Sequence, residues 1–377
     1  VMGNVVSTFG IIYNTDRLAE FGVQTPPSQW TDLADYRYVG QVGLADPTKS
    51  GSIAKAFEMI VHQQMHDAAK TFIEAQPRTG GQSPDIDRLI WLNEERIAAH
   101  TKEKGKAYKR GDVPEDLKDY QAALEQGFAN GLSLIQRIGA NARYFTDSAS
   151  KVPIDVSMGD AAVGMAIDFY GRYQAQAARA HDGTERMKFV TPLGGTSVSV
   201  DPISLLRGAG GSAGGATNEE REANQKATRD AAIRFIEFIL SEEGQKLWTY
   251  KPGAPGGPEK YTLRRLPIRR TFYPSTQPAV QAAHAEHVKY AADDLADPAI
   301  DPYQVAEKFT YYKRWTGDHF SVLRDIVRAM CMDSAGELKA AWHRTNGKAD
   351  LKPLVTAPTT AHARAALGDL AGLSLAA

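Results

Sequence analysis

The sequence predicts an α/β fold with more than one domain. Short apolar runs such as 10–14 and 162–167 alternate with longer segments of helical periodicity, a pattern typical of layered sheets and helices. The chain has 377 residues, whereas a single hydrophobic core stops growing at roughly 250–300 residues. Two domains are therefore expected.

Composition and charge exclude several classes of protein. Hydrophobic residues make up 42% and charged residues 24% of the chain, which excludes overall disorder. The formal net charge of −1 gives no global field that would attract nucleic acid or an anionic membrane. The single cysteine, Cys331, excludes an internal disulfide and a cysteine-rich metal site. No apolar stretch reaches the roughly 18 residues that span a bilayer.

The first fifty residues predict two strands and three helices. A strand at 10–14 leads into a brief helix at 17–21, which Gly22 ends. Two prolines open a turn and a short helix at 26–33, and a second strand follows at 39–45. A third helix starts after the corner at 46–52, where Ser50 or Ser52 is the expected N-cap.

Residues 85–138 are helical and highly charged, with a basic peak at 102–110. We interpret them as a solvated helical hairpin. A nucleic-acid-binding arm is the alternative, but Tyr108 is the only aromatic residue within the basic peak.

Strand patterns return at 162–167 and 197–200, and the glycine-rich run 208–215 reads as a flexible loop. A long helix follows, and we expect it to pack on a sheet through one apolar face. That face is formed by Ala232, Phe235, Ile236, Ile239 and Leu240. From 271 to the end the pattern is almost wholly helical, with prolines as breaks.

Seven phrases, taken in order, resemble the extracellular solute-binding proteins of ABC importers, and most closely their ferric-iron-binding branch. They are 10–14 (GIIYN), 30–33 (WTDL), 45–52 (ADPTKSGS), 159–164 (GDAAVG), 201–206 (DPISLL), 235–245 (FIEFILSEEGQ) and 266–268 (LPI). Their order and spacing over about 260 residues, rather than any one phrase, carry the resemblance.

The resemblance implies a type II periplasmic-binding-protein-like fold, with two α/β lobes joined by crossing strands and a ligand cleft between them. We expect 1–190 to be mostly the second lobe with a helical insertion at 85–138, 191–270 to return to the first lobe, and 271–377 to form a helical C-terminal region. In that family a secretion signal and the opening βαβ units precede the first strand, so we expect this chain to lack the amino-terminal part of its first lobe. A periplasmic or extracellular location is implied.

The corner Thr48, Lys49, Ser50, Gly51 and Ser52 follows a strand and opens a helix, so backbone N–H groups, hydroxyls and a positive helix end meet there. These groups predict an anion-binding corner. The alternative is that Ser50 or Ser52 only caps the helix. The resemblance favours ligand contact. The spacing of a phosphate-hydrolysing P-loop is absent.

A second patch is formed by Asp168, Phe169 and Tyr170. The resemblance implies two adjacent metal-binding tyrosines here, but this chain has phenylalanine in the first place. Iron binding would therefore rest on Tyr170, with Asp168 or Tyr173 as a substitute ligand. The alternative is that the aromatic side chains only pack at the end of a strand.

Four further residues complete the candidate site. Asp147 and Ser148 are placed on the rim of the cleft by the resemblance, Asp201 on a return strand, and Arg265 beside the phrase 266–268 as a cationic fork for an anion. An isolated Asx turn and a surface arginine are the alternatives.

We expect a non-enzymatic component of an ABC importer that captures a small anionic solute, or ferric iron with or without a synergistic anion. No resident cofactor is expected. The partners would be the small-molecule or metal ligand and a membrane permease, through which alone the protein would be peripheral to the membrane. No nucleic-acid partner is expected.

Three alternatives remain at this point. One is a hydrolase or transferase that uses Ser50 or Asp168, although no nucleophile or zinc-protease motif is present. Another is a scaffold that acts through its helical regions. The third is a metal site at either of the histidine pairs one helical turn apart, His62 with His66 or His284 with His287.

Overall fold

The structure, a computed structural model, describes residues 2–77, 85–105, 111–211, 214–345 and 347. It confirms the α/β prediction, with two β-sheets and helices packed around them. The eight strands are β1 Met2–Ser7, β2 Phe9–Asn14, β3 Val42–Ala45, β4 Ala142–Thr146, β5 Val163–Ile167, β6 Met187–Val190, β7 Ser199–Ile203 and β8 Leu266–Pro267.

The larger sheet has five strands in the order β4-β3-β5-β2-β6. Strands β4, β3 and β5 are parallel to one another, while β2 runs antiparallel to both β5 and β6. Strands β2, β3 and β5 are buried along their whole length. Burial on both faces explains why their sequences read as continuous apolar runs rather than as alternating patterns.

The smaller sheet has three antiparallel strands in the order β7-β1-β8. The chain passes from this sheet to the larger one through a single residue, Thr8, between β1 and β2. It returns through residues 191–198, between β6 and β7. The Phe9 N–H donates to the Thr196 hydroxyl at 3.1 Å, so the two crossing segments are bonded to each other.

Twelve α-helices surround the sheets in the described residues. They are α1 Thr15–Glu20, α2 Gly51–Glu74, α3 Ile86–Lys104, α4 Lys118–Ala140, α5 Lys151–Met158, α6 Asp168–Ala177, α7 Asn218–Leu240, α8 Glu242–Thr249, α9 Pro278–Tyr290, α10 Pro302–Glu307, α11 Phe320–Arg328 and α12 Ala335–Arg344. None of the described helices is long and apolar enough to cross a membrane.

The predicted solvated hairpin at 85–138 is wrong for its second helix, because α4 packs along α2 and belongs to the main core. Gly127 and Gly131 permit this close packing. A Cβ atom added to them would lie 2.5 Å from the Cα of Met65 and 2.6 Å from the Cα of Val61. Only four of the 23 residues of α4 are charged and none of these is buried, so the high charge of the segment belongs mainly to α3 and the residues after it. Residues 106–110 of the basic peak lie outside the described residues.

The helical prediction for the C-terminal region is confirmed as far as residue 344, and the remaining tail from 348 lies outside the described residues. These helices do not stand apart from the larger sheet. Trp315, Val327, Cys331 and Trp342 are buried in the same core cluster as its strands. A smaller cluster around Tyr250, Phe272 and Tyr273 lies elsewhere in the fold.

The prediction that helix α7 packs on a sheet is wrong for the described structure. None of its residues is buried, and Phe235 and Phe238 are 59% and 47% exposed. Its amphipathic pattern is a local property, and a pattern alone does not supply the surface that covers an apolar face. Part of the glycine-rich loop before it, 212–213, lies outside the described residues.

Element boundaries differ most in the predicted strand 39–45, which begins only at Val42. Residues Tyr36–Tyr38 form a 3₁₀ turn, and Gly40 has a φ of +68°, so the backbone is not extended before that point. The proposed lobe boundaries at 190 and 270 remain a prediction.

Candidate functional site at the carboxyl edge of the larger sheet

Three neighbouring parallel strands of the larger sheet end at the same edge. Strand β4 ends at Thr146, β3 at Ala45 and β5 at Ile167. Open α/β sheets bind ligands outside the carboxyl ends of their strands. We call this region, with the residues that follow the three strands, the carboxyl edge. It brings together the predicted corner at 46–52, the pair Asp147 and Ser148, and the patch that begins at Asp168.

The corner between β3 and α2 is folded around Asp46. Its Oδ1 accepts hydrogen bonds from the Thr48 N–H at 2.8 Å and from the Thr48 hydroxyl at 2.6 Å. Ser50 is the N-cap of α2, and its hydroxyl oxygen accepts from the Ile53 N–H at 3.4 Å. The capping interpretation of Ser50 is confirmed, and the Thr48 side chain is held within the corner.

Gly51 and Ser52 form the exposed start of α2. The N–H groups of a first helical turn have no acceptor within the helix, and the helix dipole makes this end positive. A Cβ atom added to Gly51 would meet nothing within 4 Å, so no other side chain or backbone segment crowds this residue. Beside it, the Lys49 ammonium lies 2.8 Å from an Asp147 carboxylate oxygen, which links the corner to the end of β4.

Two arginines that the sequence analysis missed brace this corner from helix α11. Arg324 Nε donates to the Pro47 carbonyl oxygen at 2.6 Å, and its Nη2 donates to the Thr48 carbonyl oxygen. Arg328 Nη1 donates to Asp46 Oδ2 at 2.9 Å. They are more than 270 residues away in sequence, and only the tertiary packing of α11 brings them to the corner.

Asp168 is fully buried at the start of α6 and bonded on several sides. It accepts from the Thr8 N–H at 3.0 Å, while its own N–H donates to the Thr8 carbonyl oxygen at 3.0 Å. Arg172 Nη2 lies 3.3 Å from its Oδ2. Burial raises the pKa of Asp168, and the Arg172 charge opposes this shift. These contacts tie the strand crossing at Thr8 to α6.

The Arg265 guanidinium approaches the carboxyl edge from the smaller sheet. Its central carbon lies 4.1 Å from the centroid of the Phe169 ring, and it forms an ion pair with Asp201 on β7. Its side chain is 16% exposed, so it is not an ordinary surface arginine. Burial lowers the pKa of Arg265, and Asp168 opposes this shift. Phe169 in turn packs against Tyr170, with 4.3 Å between the ring centroids and 49° between the ring planes.

The two segments that cross between the sheets each carry a buried hydroxyl. Within the described part of the chain, the Ser7 and Ser197 hydroxyl oxygens have no hydrogen-bond partner. Ser7 directly precedes Thr8, and Ser197 directly follows Thr196. Unpaired buried polar atoms are uncommon and call for a missing water or ligand group.

The metal-site alternatives gain no support. No group of three His, Cys, Asp or Glu side chains suited to a metal occurs among the described residues. His62 is buried against Thr310 and Thr316, whereas His66 contacts Asp87. His287 bonds to Tyr250, and His284 to a backbone carbonyl. Tyr170 is 40% exposed and could face a ligand at the carboxyl edge.

With this geometry in view, comparison with known proteins is informative for the first quarter of the chain. Residues 2–99 match a family described as bacterial extracellular solute-binding protein. The resemblance seen in the sequence is thereby confirmed for this segment. The family consists of binding proteins rather than enzymes, as the sequence predicted.

Other similarities are weaker. An uncharacterized protein of Haemophilus influenzae is 21% identical over 239 residues, which are 63% of this chain and 44% of that protein. The chain therefore spans less than half of the length of this curated relative.

Three solved structures that are similar to this chain have TM-scores below 0.4. The periplasmic binding protein AfuA from Actinobacillus pleuropneumoniae, solved with fructose-6-phosphate, gives a TM-score of 0.38 at 16% identity over 84% of this chain and 66% of its own. Ferric iron-binding protein A from Mannheimia haemolytica gives 0.37 at 13% identity, over 87% and 69%. PotD from Streptococcus pneumoniae gives 0.38 at 12% identity, over 88% and 69%.

Proposed function

We propose that this chain is the substrate-binding component of an ABC-type importer, and that it captures a small anionic solute at the carboxyl edge. The observation that carries this proposal is the open start of α2. There Gly51 and Ser52 begin the helix beside Lys49, and a Cβ atom added to Gly51 would meet no atom within 4 Å. A helix start of this kind attracts an anion through its dipole and its unpaired N–H donors.

The charge pairing at the carboxyl edge supports an anion rather than a bare metal cation. Three carboxylates of the edge and Asp201 of β7 each have a cationic partner from the protein. The pairs are Asp46 with Arg328, Asp147 with Lys49, Asp168 with Arg172, and Asp201 with Arg265. These carboxylates are already engaged, whereas a trivalent cation needs unpaired oxygen ligands.

The candidate residues take different roles in this proposal. Gly51, Ser52 and Lys49 contact the anion from the larger sheet, and Arg265 contacts it from the smaller one. Tyr170 and Ser148 line the site. Thr48, Ser50, Asp147, Asp168 and Asp201 act by holding these donors in place, since each is bonded within the protein.

The crossing segments at Thr8 and 191–198 provide the hinge on which the two sheets would close around the solute. Delivery to a membrane permease in the periplasm or outside the cell follows from the family that residues 2–99 match. The hydrolase or transferase alternative is not favoured, because Ser50 caps a helix and Asp168 is buried.

A ligand panel tests the proposal by thermal unfolding, since a ligand that binds only the folded state raises the melting temperature. The panel contains phosphate, sulfate, phosphonates, polyamines, and ferric ion with and without a synergistic anion. We expect stabilisation by at least one anion without metal. Stabilisation by ferric ion alone, lost in Tyr170→Phe, would favour an iron carrier. No stabilisation by any ligand would contradict the proposal.

A further inference from the structure

Arg264 is the only non-glycine residue with a positive φ in the described part of the chain. Its φ is +52°, in the left-handed region that residues with a Cβ atom rarely adopt. The residue is 7% exposed and immediately precedes Arg265 and strand β8. Backbone strain of this kind persists only where the surroundings enforce it, and it clusters at functional sites.

The surroundings of Arg264 enforce its conformation through three residues. Its Nη1 pairs with the Asp293 carboxylate. Its Nε and Nη2 both donate to Gln176 Oε1, at 3.0 and 2.5 Å. Its carbonyl oxygen accepts from Arg172 Nη2 at 3.0 Å. Arg264 is thus fastened through its side chain and its backbone.

Two of these anchors belong to helix α6, whose first residues form the carboxyl edge. Arg172 and Gln176 lie one and two turns beyond Asp168. Arg264 is therefore fixed relative to the helix that carries Phe169 and Tyr170. On its other side, the Arg265 N–H donates to the Trp248 carbonyl oxygen at 3.0 Å, and Leu266 pairs with Val6 of β1.

We propose that Arg264 is a positioning residue for ligand recognition, which holds the guanidinium of Arg265 over Phe169 at the carboxyl edge. Its left-handed backbone turns the chain so that the side chain of residue 264 reaches Asp293 and Gln176 while that of residue 265 reaches Phe169. This proposal rests on the proposed function, because it assigns Arg265 to the anion.

The test is a double-mutant cycle on the 377-residue chain. Arg264→Gly keeps the left-handed backbone available and removes the side-chain anchor. Arg265→Gln removes the cation. Affinity for inorganic phosphate and for sulfate is measured by isothermal titration calorimetry in the wild type, both single variants and the double variant.

We expect Arg264→Gly to weaken anion binding about tenfold in the wild-type background and less than twofold in the Arg265→Gln background. A residue that serves stability alone would leave the affinity of the folded protein unchanged, or would change it equally in both backgrounds. Either result would overturn the proposal. Arg264→Lys restores the charge opposite Asp293 but not the fork to Gln176, so an intermediate affinity is expected.

A second readout separates failure of this inference from failure of the proposed function. If the wild type binds neither anion, the proposed function fails for these anions, and the cycle is read from urea unfolding instead. Arg265→Gln is then expected to destabilise the wild type more than the Arg264→Gly variant, because the stacking on Phe169 is already disturbed. Equal effects would overturn the positioning role. If Arg264→Gly does not fold, Gln176→Leu takes the place of that variant in the same cycle, because it removes one anchor of the Arg264 side chain.

Discussion

The guanidinium carbon of Arg265 lies 4.1 Å from the centroid of the Phe169 ring, and this contact joins the smaller sheet to the carboxyl edge of the larger one. A cation over an aromatic face is stabilised by the ring quadrupole. In the proposed function it also places a positive charge beside the bound anion.

Arg265→Gln should weaken anion binding roughly 10- to 100-fold, because a hydrogen bond to a charged group contributes about 1.5–3 kcal/mol. Isothermal titration calorimetry measures this loss of affinity, with the anion that stabilises the protein most as the ligand. Arg207→Gln is the matched control, since Arg207 is exposed and lies in the loop after β7. Equal effects of the two substitutions would remove Arg265 from the site.

Ser52→Asp should change stability and affinity in opposite directions. A carboxylate in the first turn of α2 stabilises the helix by about 0.3–1 kcal/mol, but it repels an anion at the same place. Asn218→Asp, at the start of α7, should give a similar gain in stability with unchanged affinity. Thermal unfolding and anion titration measure the two quantities. Unchanged anion affinity in Ser52→Asp would place the ligand elsewhere.

Asp168→Asn should destabilise the fold by roughly 3–5 kcal/mol, since it breaks a buried pair and leaves the Arg172 charge less compensated. Asp201→Asn is the comparison, because Asp201 is half-exposed and its pairing should contribute at most about 1 kcal/mol. Urea unfolding measures both. A small loss of stability in Asp168→Asn would contradict the structural role given to this carboxylate.

Gly131→Ala should destabilise the protein by about 1–3 kcal/mol, because its methyl group would collide with the backbone of α2 at Val61. In Gly336→Ala, the added methyl group meets no atom within 4 Å, and the substitution should stabilise helix α12 by roughly 0.5–1 kcal/mol. Thermal unfolding of the two variants is the measurement. Equal behaviour would mean that α4 does not pack on α2 as described.

Stability should fall as the pH drops below about 6.5, in part because of His62. Burial lowers the pKa of His62 from its usual 6.5 to about 3, so between these values the unfolded chain binds a proton that the folded chain does not. His62 alone changes the free energy of unfolding by up to about 1.4 kcal/mol per pH unit in this range. Lys55 and Glu58 lie close by as an ion pair, and Glu58 accepts a hydrogen bond from the Thr316 hydroxyl.

His62→Gln isolates the contribution, since it removes the titrating group whatever its effect on absolute stability. The free energy of unfolding of this variant should depend less steeply on pH between 6.5 and 4.5 than that of the wild type. His66→Gln, on the exposed side of the same helix, is the control. Identical slopes for the wild type and His62→Gln would contradict the burial of a neutral His62.

The local features of the fold were predictable from sequence, and the distant contacts were not. Apolar runs with β-branched residues predict the strands at 10–14 and 163–167, and Ser50 predicts the start of α2. The spacing of Tyr120, Leu124 and Phe128 marks an apolar face on α4, but the high charge of the preceding segment led to the solvated prediction. The fit of Gly127 and Gly131 against α2 has no local signal. Nor does the apolar pattern of α7 show that none of the residues of this helix is buried.

In the candidate site, too, local features could be predicted from the sequence and distant contacts could not. Strand ends and a capped helix start mark the corner at 46–52 in the sequence, because both are local signals. Arg324, Arg328 and Arg264 leave no such mark. Their contacts depend on chain segments up to 282 residues apart, and a left-handed arginine has no sequence signature.

The most direct measurement of the central claim is an amide NMR titration of the ¹⁵N-labelled chain with each anion of the panel. We expect saturable shifts for at least one anion, largest at the amides of Gly51 and Ser52. The Arg265 side-chain signal should shift with them. Gly336, in helix α12 and outside the carboxyl edge, should not shift. Shifts concentrated away from the carboxyl edge, or no saturable shift with any anion, would contradict it.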